Sequence, residues 1–130
     1  MTPSELIATA SALARRFSPS DDCNAGDVAA ALVTAGGHVY TGVSVDTACS
    51  LGFCAEHAAV AEMLKGHESE IAMVVAVDRT GAVLSPCGRC RELMLQVAPT
   101  NRATHVVLGL NQVVALGDLL PHRERSHSAS

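Results

Sequence analysis

The sequence predicts an α/β three-layer sandwich, with a central mixed sheet of about five strands between helices. Three observations carry that expectation. Segments with helical spacing alternate along the chain with β-branched runs. The run from Ile71 to Val77 is continuously apolar, the pattern of a strand covered on both faces. The 130 residues, 48% of them apolar, suffice for one compact core and not for two. The expected division is one domain over residues 1–120, followed by a loose polar tail over 121–130 with His, Arg and Ser and no period.

Thr2-Pro3-Ser4-Glu5 reads as a helix start, with a capping hydroxyl, a first-turn Pro and Glu three residues after the cap. Leu6, Ile7, Ala10, Leu13, Ala14 and Phe17 continue at helical spacing, and residues 18–22 end that helix in a loop. Val28 to Thr34 and Val39 to Val45 flank Gly36-Gly37, which predicts a β-hairpin, and residues 46–53 form a connecting loop. Cys54 to about Lys65 is rich in helix formers and apolar almost all round, so it reads as a buried helix that stops at Gly66. Ser85-Pro86 reads as a cap and first-turn Pro for a helix from Cys87 through Val97. His105 to Leu110 reads as a strand, Val113 to Ala115 as another, and Gly117 to Leu120 as a short helix.

Composition narrows the function classes. The net charge of -4, with only nine Lys and Arg, argues against a nucleic-acid backbone as partner. Arg89 and Arg91 form a small local exception and read as a solvated or ion-paired edge. No apolar run reaches the roughly eighteen residues of a membrane span, and no secretory leader is expected. Phe17, Tyr40 and Phe53 are the only aromatic residues, so the core must be aliphatic, and Phe53 is expected in it. The five cysteines include one Cys-x-x-Cys pair, a spacing that suggests metal or redox chemistry before disulfides.

Two segments carry the chemistry: Cys54-Ala55-Glu56-His57 and Ser85-Pro86-Cys87-Gly88-Arg89-Cys90. Each falls at a predicted helix N-terminus. Cys87 and Cys90 are three apart and share a helix face, so one metal beyond the helix end can take both. Cys54 supplies a third thiolate from a second helix start. The positive helix ends lower thiol pKa values. Three protein ligands leave a fourth tetrahedral position open, which catalytic zinc sites keep for water. Glu56 is placed to move protons there. Alternatives stay open at this point: buried or redox cysteines, and a closed structural cage with Cys49 as fourth sulfur. Glu56 alone could be a first-turn carboxylate favoured by the helix dipole. Cys23 and Cys49 read as ordinary thiols, Cys49 perhaps lining a pocket. His105, His122 and His127 read as structural or solvated.

Cys-Ala-Glu followed about thirty residues later by Pro-Cys-x-x-Cys resembles the zinc deaminase signature, in the variant with three Cys ligands and a Glu that is not one. The similarity extends over about residues 25–120, including Ala30-Ala31-Leu32, Gly42 and Leu119-Leu120-Pro121. It is to the small free-nucleoside branch, the cytidine and blasticidin-S deaminases, which are homotetramers of about this chain length. The resemblance implies Zn2+ on Cys54, Cys87 and Cys90 and proton transfer by Glu56. It implies a small-molecule aminopyrimidine nucleoside as substrate, with a carbonyl product and ammonia released. Backbone groups near Ala55 and Ser85 would hold the ring edge, Ser44 and Asp46 would meet the sugar, and His57 would moderate the thiolate charge. A cytoplasmic homo-oligomer, tetramer or dimer, acting in nucleoside metabolism is expected, with no nucleic-acid or membrane partner.

Some positions depart from the family pattern. Gly26 stands where these enzymes have a Phe against the pyrimidine. Ser44 and Asp46 replace a longer Asn and Glu, Thr47 replaces Asn, and His57 replaces Arg. These departures leave blasticidin S, a free base, or an aminated purine or triazine ring open as substrates. A non-catalytic module with a structural four-Cys zinc site is the competing class.

Overall fold

The computed structural model describes residues 1–123. The expected tail lies outside the described residues from 124 on. At its start, Arg123 forms an ion pair with Glu92.

Helix α1 (Pro3–Ser11) opens on the expected reciprocal cap: the Thr2 hydroxyl accepts from the Glu5 N–H at 3.2 Å, and the Glu5 carboxylate accepts from the Thr2 N–H at 3.1 Å. The helix ends at Ser11 and does not reach Phe17. Instead Phe17–Ser20 is a strand, β1, paired antiparallel with β2 (Cys23–Thr34), so residues 18–22 are strand and tight turn where a loop was expected. The physical reason is burial. Leu13 is 40% exposed and Phe17 64% exposed, so apart from Ala14, which still packs on the core beside α1, the later apolar positions stay outside the core. The backbone of 17–20 finds hydrogen-bonding partners along β2 instead. Pro19 is tolerated there because β1 lies at a sheet edge.

The predicted hairpin forms between β2 and β3 (Val39–Thr47), with Gly37 at φ 86° in its turn. Helix α2 (Ala55–Lys65), β4 (Ile71–Asp78), the short β5 (Val83–Leu84), α3 (Gly88–Val97), β6 (His105–Gly109) and β7 (Gln112–Ala115) follow. Two 3-10 turns, Pro99–Ala103 and Leu116–Leu119, complete the elements among the described residues; the second stands where a short helix was expected. Five strands lie side by side as β3-β2-β4-β6-β7, while β1 and β5 pair with β2 and β4 to give seven among the described residues. Among the described residues only β4 and β6 pair in parallel, so the sheet is mixed.

Alternation of side chains divides the core into two layers. Ala30, Leu32, Val74, Ala76 and Val106 face α2 and α3, against Ala59, Val60, Met63, Met94 and Leu95. Ala31, Val75, Val77 and Val107 face α1, against Leu6 and Ala10. The three expected layers are therefore one helix, the sheet, and two helices. Helix α2 is less enclosed than its composition suggested: Ala61, Leu64 and Lys65 are exposed. Its end is at Gly66, as expected, but Gly66 has φ -79° and the left-handed residue is His67 at φ 62°.

Gly42 sets how closely α2 approaches the sheet. A Cβ there would stand 2.5 Å from both Ala58 Cβ and Ala59 N and 2.7 Å from the Ala55 carbonyl oxygen. Backbone atoms cannot yield as a flexible side chain does. Gly42→Ala is therefore expected to cost about 1–3 kcal/mol of stability, measurable by urea unfolding. Activity should fall as well, because the shifted helix carries Cys54 and Glu56.

Candidate active site

Cys54 is the N-cap of α2 and Cys87 the N-cap of α3, both with extended backbone. The cap of α3 is thus Cys87 and not Ser85, and helical conformation starts at Gly88. Neither sulfur is used in a cap hydrogen bond. Both are left free beyond the two helix ends, where the backbone dipoles favour negative charge. Cys90 follows one turn into α3 and is fully buried. The Cys54 and Cys87 sulfurs are 3.5 Å apart, as are those of Cys87 and Cys90, and all three lie within 4.8 Å of one another.

These thiols fit a tetrahedral zinc. Zn–S bonds of about 2.3 Å separate two sulfurs by roughly 3.8 Å. The acid–base properties of the set differ by position. Burial raises Cys54, with the neighbouring Cys87 thiol adding to it. Burial also raises Cys90 far above the ordinary thiol range, with the Glu56 charge contributing. For Cys87 burial is outweighed: the N–H groups of Cys90 and Arg89 and the other two thiols bring it below its ordinary value. A dication replacing the protons is the natural resolution of three thiols so crowded. Cys49 is exposed and outside this group, so among the described residues the cluster is one of three sulfurs.

Glu56 sits in the first turn of α2 and is only 5% exposed. Burial raises its pKa above the ordinary carboxylate value. His57 places Nδ1 3.4 Å from the Cys90 sulfur, and burial lowers its pKa. It is therefore a hydrogen-bonding neighbour of one thiol and does not belong to the three-thiol group.

Glu56, Cys54 and Cys87 open onto a cavity of about 470 Å³ beside the ends of β3 and β4. That is an ordinary size for a small-molecule site. Ser44, Asp46, Thr47, Ala55 and Ser85 all line it, so the sequence-nominated positions converge. Ser44 has a local task as well. The ladder between β2 and β3 is irregular between Ala25 and Ala29, and the Val28 N–H there donates to Ser44 Oγ at 3.0 Å. Ser85 Oγ accepts from the Arg91 guanidinium at 3.0 Å. Arg91 also donates to the Pro86 carbonyl at 2.8 Å and the Leu119 carbonyl at 3.2 Å. It is thus a brace between the Cys87 loop and the C-terminal turn, where the sequence suggested a solvated or ion-paired edge.

Two further expectations are corrected. Phe53 is not a core residue: it is 40% exposed and lines the cavity. A backbone bridge to Val45 holds its chain at the cavity wall. Cys49 does not line the cavity; Ser50 and Gly52 of the same loop do. The sequence also gave no sign of Val28, Ala76, Leu84 or Arg89 in the lining. These arrive from separate elements and follow no motif, although Arg89 lies inside the Cys-x-x-Cys spacing.

The family model for the cytidine and deoxycytidylate deaminase zinc-binding region matches residues 2–110. The chain is 35% identical over 96 residues to a cytidine deaminase of Mycobacterium tuberculosis, covering 72% of this chain and 69% of that one. It is 28% identical over 97 residues to a cytidine deaminase of Halalkalibacterium halodurans, covering 72% and 74%. A crystal structure of a mutant Mycobacterium tuberculosis cytidine deaminase superimposes with a TM-score of 0.80 at 29% identity, over 96% of this chain and 99% of that one. The cytidine deaminase from Burkholderia pseudomallei gives 0.74 at 34% identity, over 94% and 98%. With three thiols gathered at two helix starts beside a buried Glu, the chain belongs to the cytidine and deoxycytidylate deaminase family and is a zinc-dependent hydrolytic deaminase.

Proposed function

We propose that this chain deaminates an aminopyrimidine nucleoside of the cytidine or deoxycytidine type to its carbonyl product. The observation that carries the reading is the buried Glu56 carboxylate lining the same cavity as Cys54 and Cys87. In this reading Cys54, Cys87 and Cys90 hold the zinc. Zinc bound there supplies a Lewis acid that makes water nucleophilic near neutral pH. Glu56 would take one proton from the attacking water and pass it to the ring nitrogen as the hydroxyl adds to the amine-bearing carbon, and would then carry that hydroxyl's proton to the exocyclic amine. The carbon–nitrogen bond breaks, ammonia leaves, and the ring keeps the oxygen as a carbonyl. Burial suits Glu56 to this work, because a carboxyl raised above its ordinary value holds a proton more readily and so can both take and return one.

The remaining roles concern the substrate. Backbone groups of Ala55 and Ser85 hold the ring edge. Ser44 accepts from Val28 N–H, so its own hydroxyl proton is left to offer to the sugar, and Asp46 accepts from a sugar hydroxyl. His57 offsets charge on Cys90 through its 3.4 Å contact. We assign one deaminase domain to residues 1–120. A cytoplasmic setting follows from a thiolate site that a reducing compartment preserves. A homo-oligomer is supported by the apolar side chains left open beside the cavity, Leu51 at 80% and Phe53 at 40% exposure.

The test is ammonia release from cytidine, deoxycytidine, cytosine, blasticidin S and aminated purine and triazine rings. Zinc content and sedimentation are measured on the same preparation. The nucleosides are expected to react with a full complement of zinc in an oligomeric protein. Zinc-loaded protein that releases ammonia from none of the aminopyrimidines would overturn the assignment.

A further inference from the structure

We infer that Asp27 is a positioning residue for substrate binding: clamped by Arg16 and Arg79, it holds a kink in β2 that aims the Ser44 hydroxyl into the cavity. This rests on the deaminase reading above, in which Ser44 meets the sugar, and adds the device that sets the strength of that contact.

The kink is a local excess of chain. Between the pairs Ala25–Val45 and Ala29–Val43, β2 has Gly26, Asp27 and Val28 where β3 has Ser44 alone. The ladder to β4 starts only at Val28. Gly26 and Asp27 are thus outside both ladders, as in a bulge that re-aims a strand beside a site. Contacts from outside these ladders hold them. The Arg15 carbonyl oxygen lies 2.1 Å from where a Gly26 Cβ would stand, so the segment between α1 and β1 rests directly on the kink. The next residue, Arg16, grips both oxygens of Asp27 at 2.8 Å, and Arg79, just past the end of β4, reaches Oδ1 at 3.3 Å. An isolated surface ion pair contributes little, but a bidentate pair joined by a second arginine is a stronger restraint. The bond from Arg16 also holds Asp27 below the ordinary carboxylate range, so the clamp is charged at neutral pH.

The kink has one consequence at the cavity. The Val28 N–H, taken out of the β3 ladder, donates to Ser44 Oγ at 3.0 Å. Ser44 is buried, and with that acceptor position filled its hydroxyl proton is left to the cavity, which Ser44 and Val28 both line. Asp27 does not line the cavity and acts only through this bond.

The experiment measures kcat, KM and zinc content for Asp27→Asn, Ser44→Ala and the double variant. The substrate is cytidine or deoxycytidine, whichever the wild type turns over faster. Binding of the same nucleoside in a Glu56→Gln background reads affinity without turnover. Asp27→Asn should raise KM and Kd about three- to tenfold, with kcat within about twofold of wild type and zinc unchanged. Ser44→Ala should raise KM at least as much, and the double variant should match Ser44→Ala, because no hydroxyl is left to aim. Arg16→Gln removes the bidentate pair at a half-exposed side chain and should reproduce the KM rise; it decides by the same criterion if Asp27→Asn does not fold. An unchanged KM in either variant, a KM rise that multiplies with that of Ser44→Ala, or a loss of zinc and kcat in step with KM overturns the positioning role and leaves the deaminase reading standing. A zinc-loaded wild type that releases ammonia from no aminopyrimidine overturns that reading, and this inference with it.

Discussion

Glu56→Gln is expected to lower kcat by about 10²–10⁴-fold while the zinc content of the protein stays unchanged. The amide keeps the size and the hydrogen-bonding ability of the carboxylate but cannot move a proton. The thiols stay in place because they are held by two helix starts and not by residue 56. The metal-free protein offers a second check. Burial raises Glu56 in the fold, so the folded chain holds that proton more tightly than the unfolded chain does. Stability from this group is then present at low pH and is lost as pH climbs from the ordinary carboxylate range through the raised value. Glu56→Gln should remove that loss, visible as a flatter dependence of denaturation midpoint on pH. Retained turnover in zinc-loaded Glu56→Gln protein would remove this residue from the mechanism.

Cys87→Ser is expected to strip the zinc and abolish measurable activity. The deficit should exceed the about 10–100-fold that follows from losing an outer hydrogen-bonding partner of a metal ligand. A serine hydroxyl stays protonated near neutral pH and is a poor replacement for a thiolate. Cys54→Ser should behave alike, since its sulfur is also 3.5 Å from that of Cys87 and comes from the other helix. Cys49→Ser, by contrast, should keep both zinc and activity, because Cys49 is exposed and lies outside the three-thiol group. Metal analysis with ammonia release on the three variants decides the matter. Zinc lost on Cys49→Ser would point to a closed four-sulfur cage and against an open catalytic position.

These two predictions draw on what was most legible in the sequence. The sulfurs and Glu56 are short-range features: Cys54-x-Glu56 and Cys87-x-x-Cys90 sit within one helical turn each, and turn geometry is nearly independent of context. The strand Ile71–Asp78 and the hairpin about Gly36-Gly37 were legible for a similar reason, since continuous apolar runs and glycine pairs act locally. Long-range packing was less so. Apolar spacing carried the expected helix on to Phe17, although strand pairing with β2 takes that segment. Phe53 looked like core by its hydrophobicity, yet the bridge to Val45 places it at a cavity wall.

The sequence by itself determined the alternation of helix and strand and the two cysteine-bearing helix starts, because these depend on periodicity and on local turn chemistry, and its family resemblance implied zinc. The tertiary structure decided how the two helix starts meet. Gly42 lets α2 close onto β3, and the β2-to-β4 pairing draws the sheet between α1 and the other two helices. Only then do Cys54 and Cys87, 33 residues apart in the chain, come to 3.5 Å. It also decided that Arg89 opens onto the cavity while Arg91, two residues on, is locked to Pro86, Ser85 and Leu119. Two arginines on one helix turn are alike in a sequence; the acceptors around each, set by distant segments, make one a brace and leave the other facing the cavity.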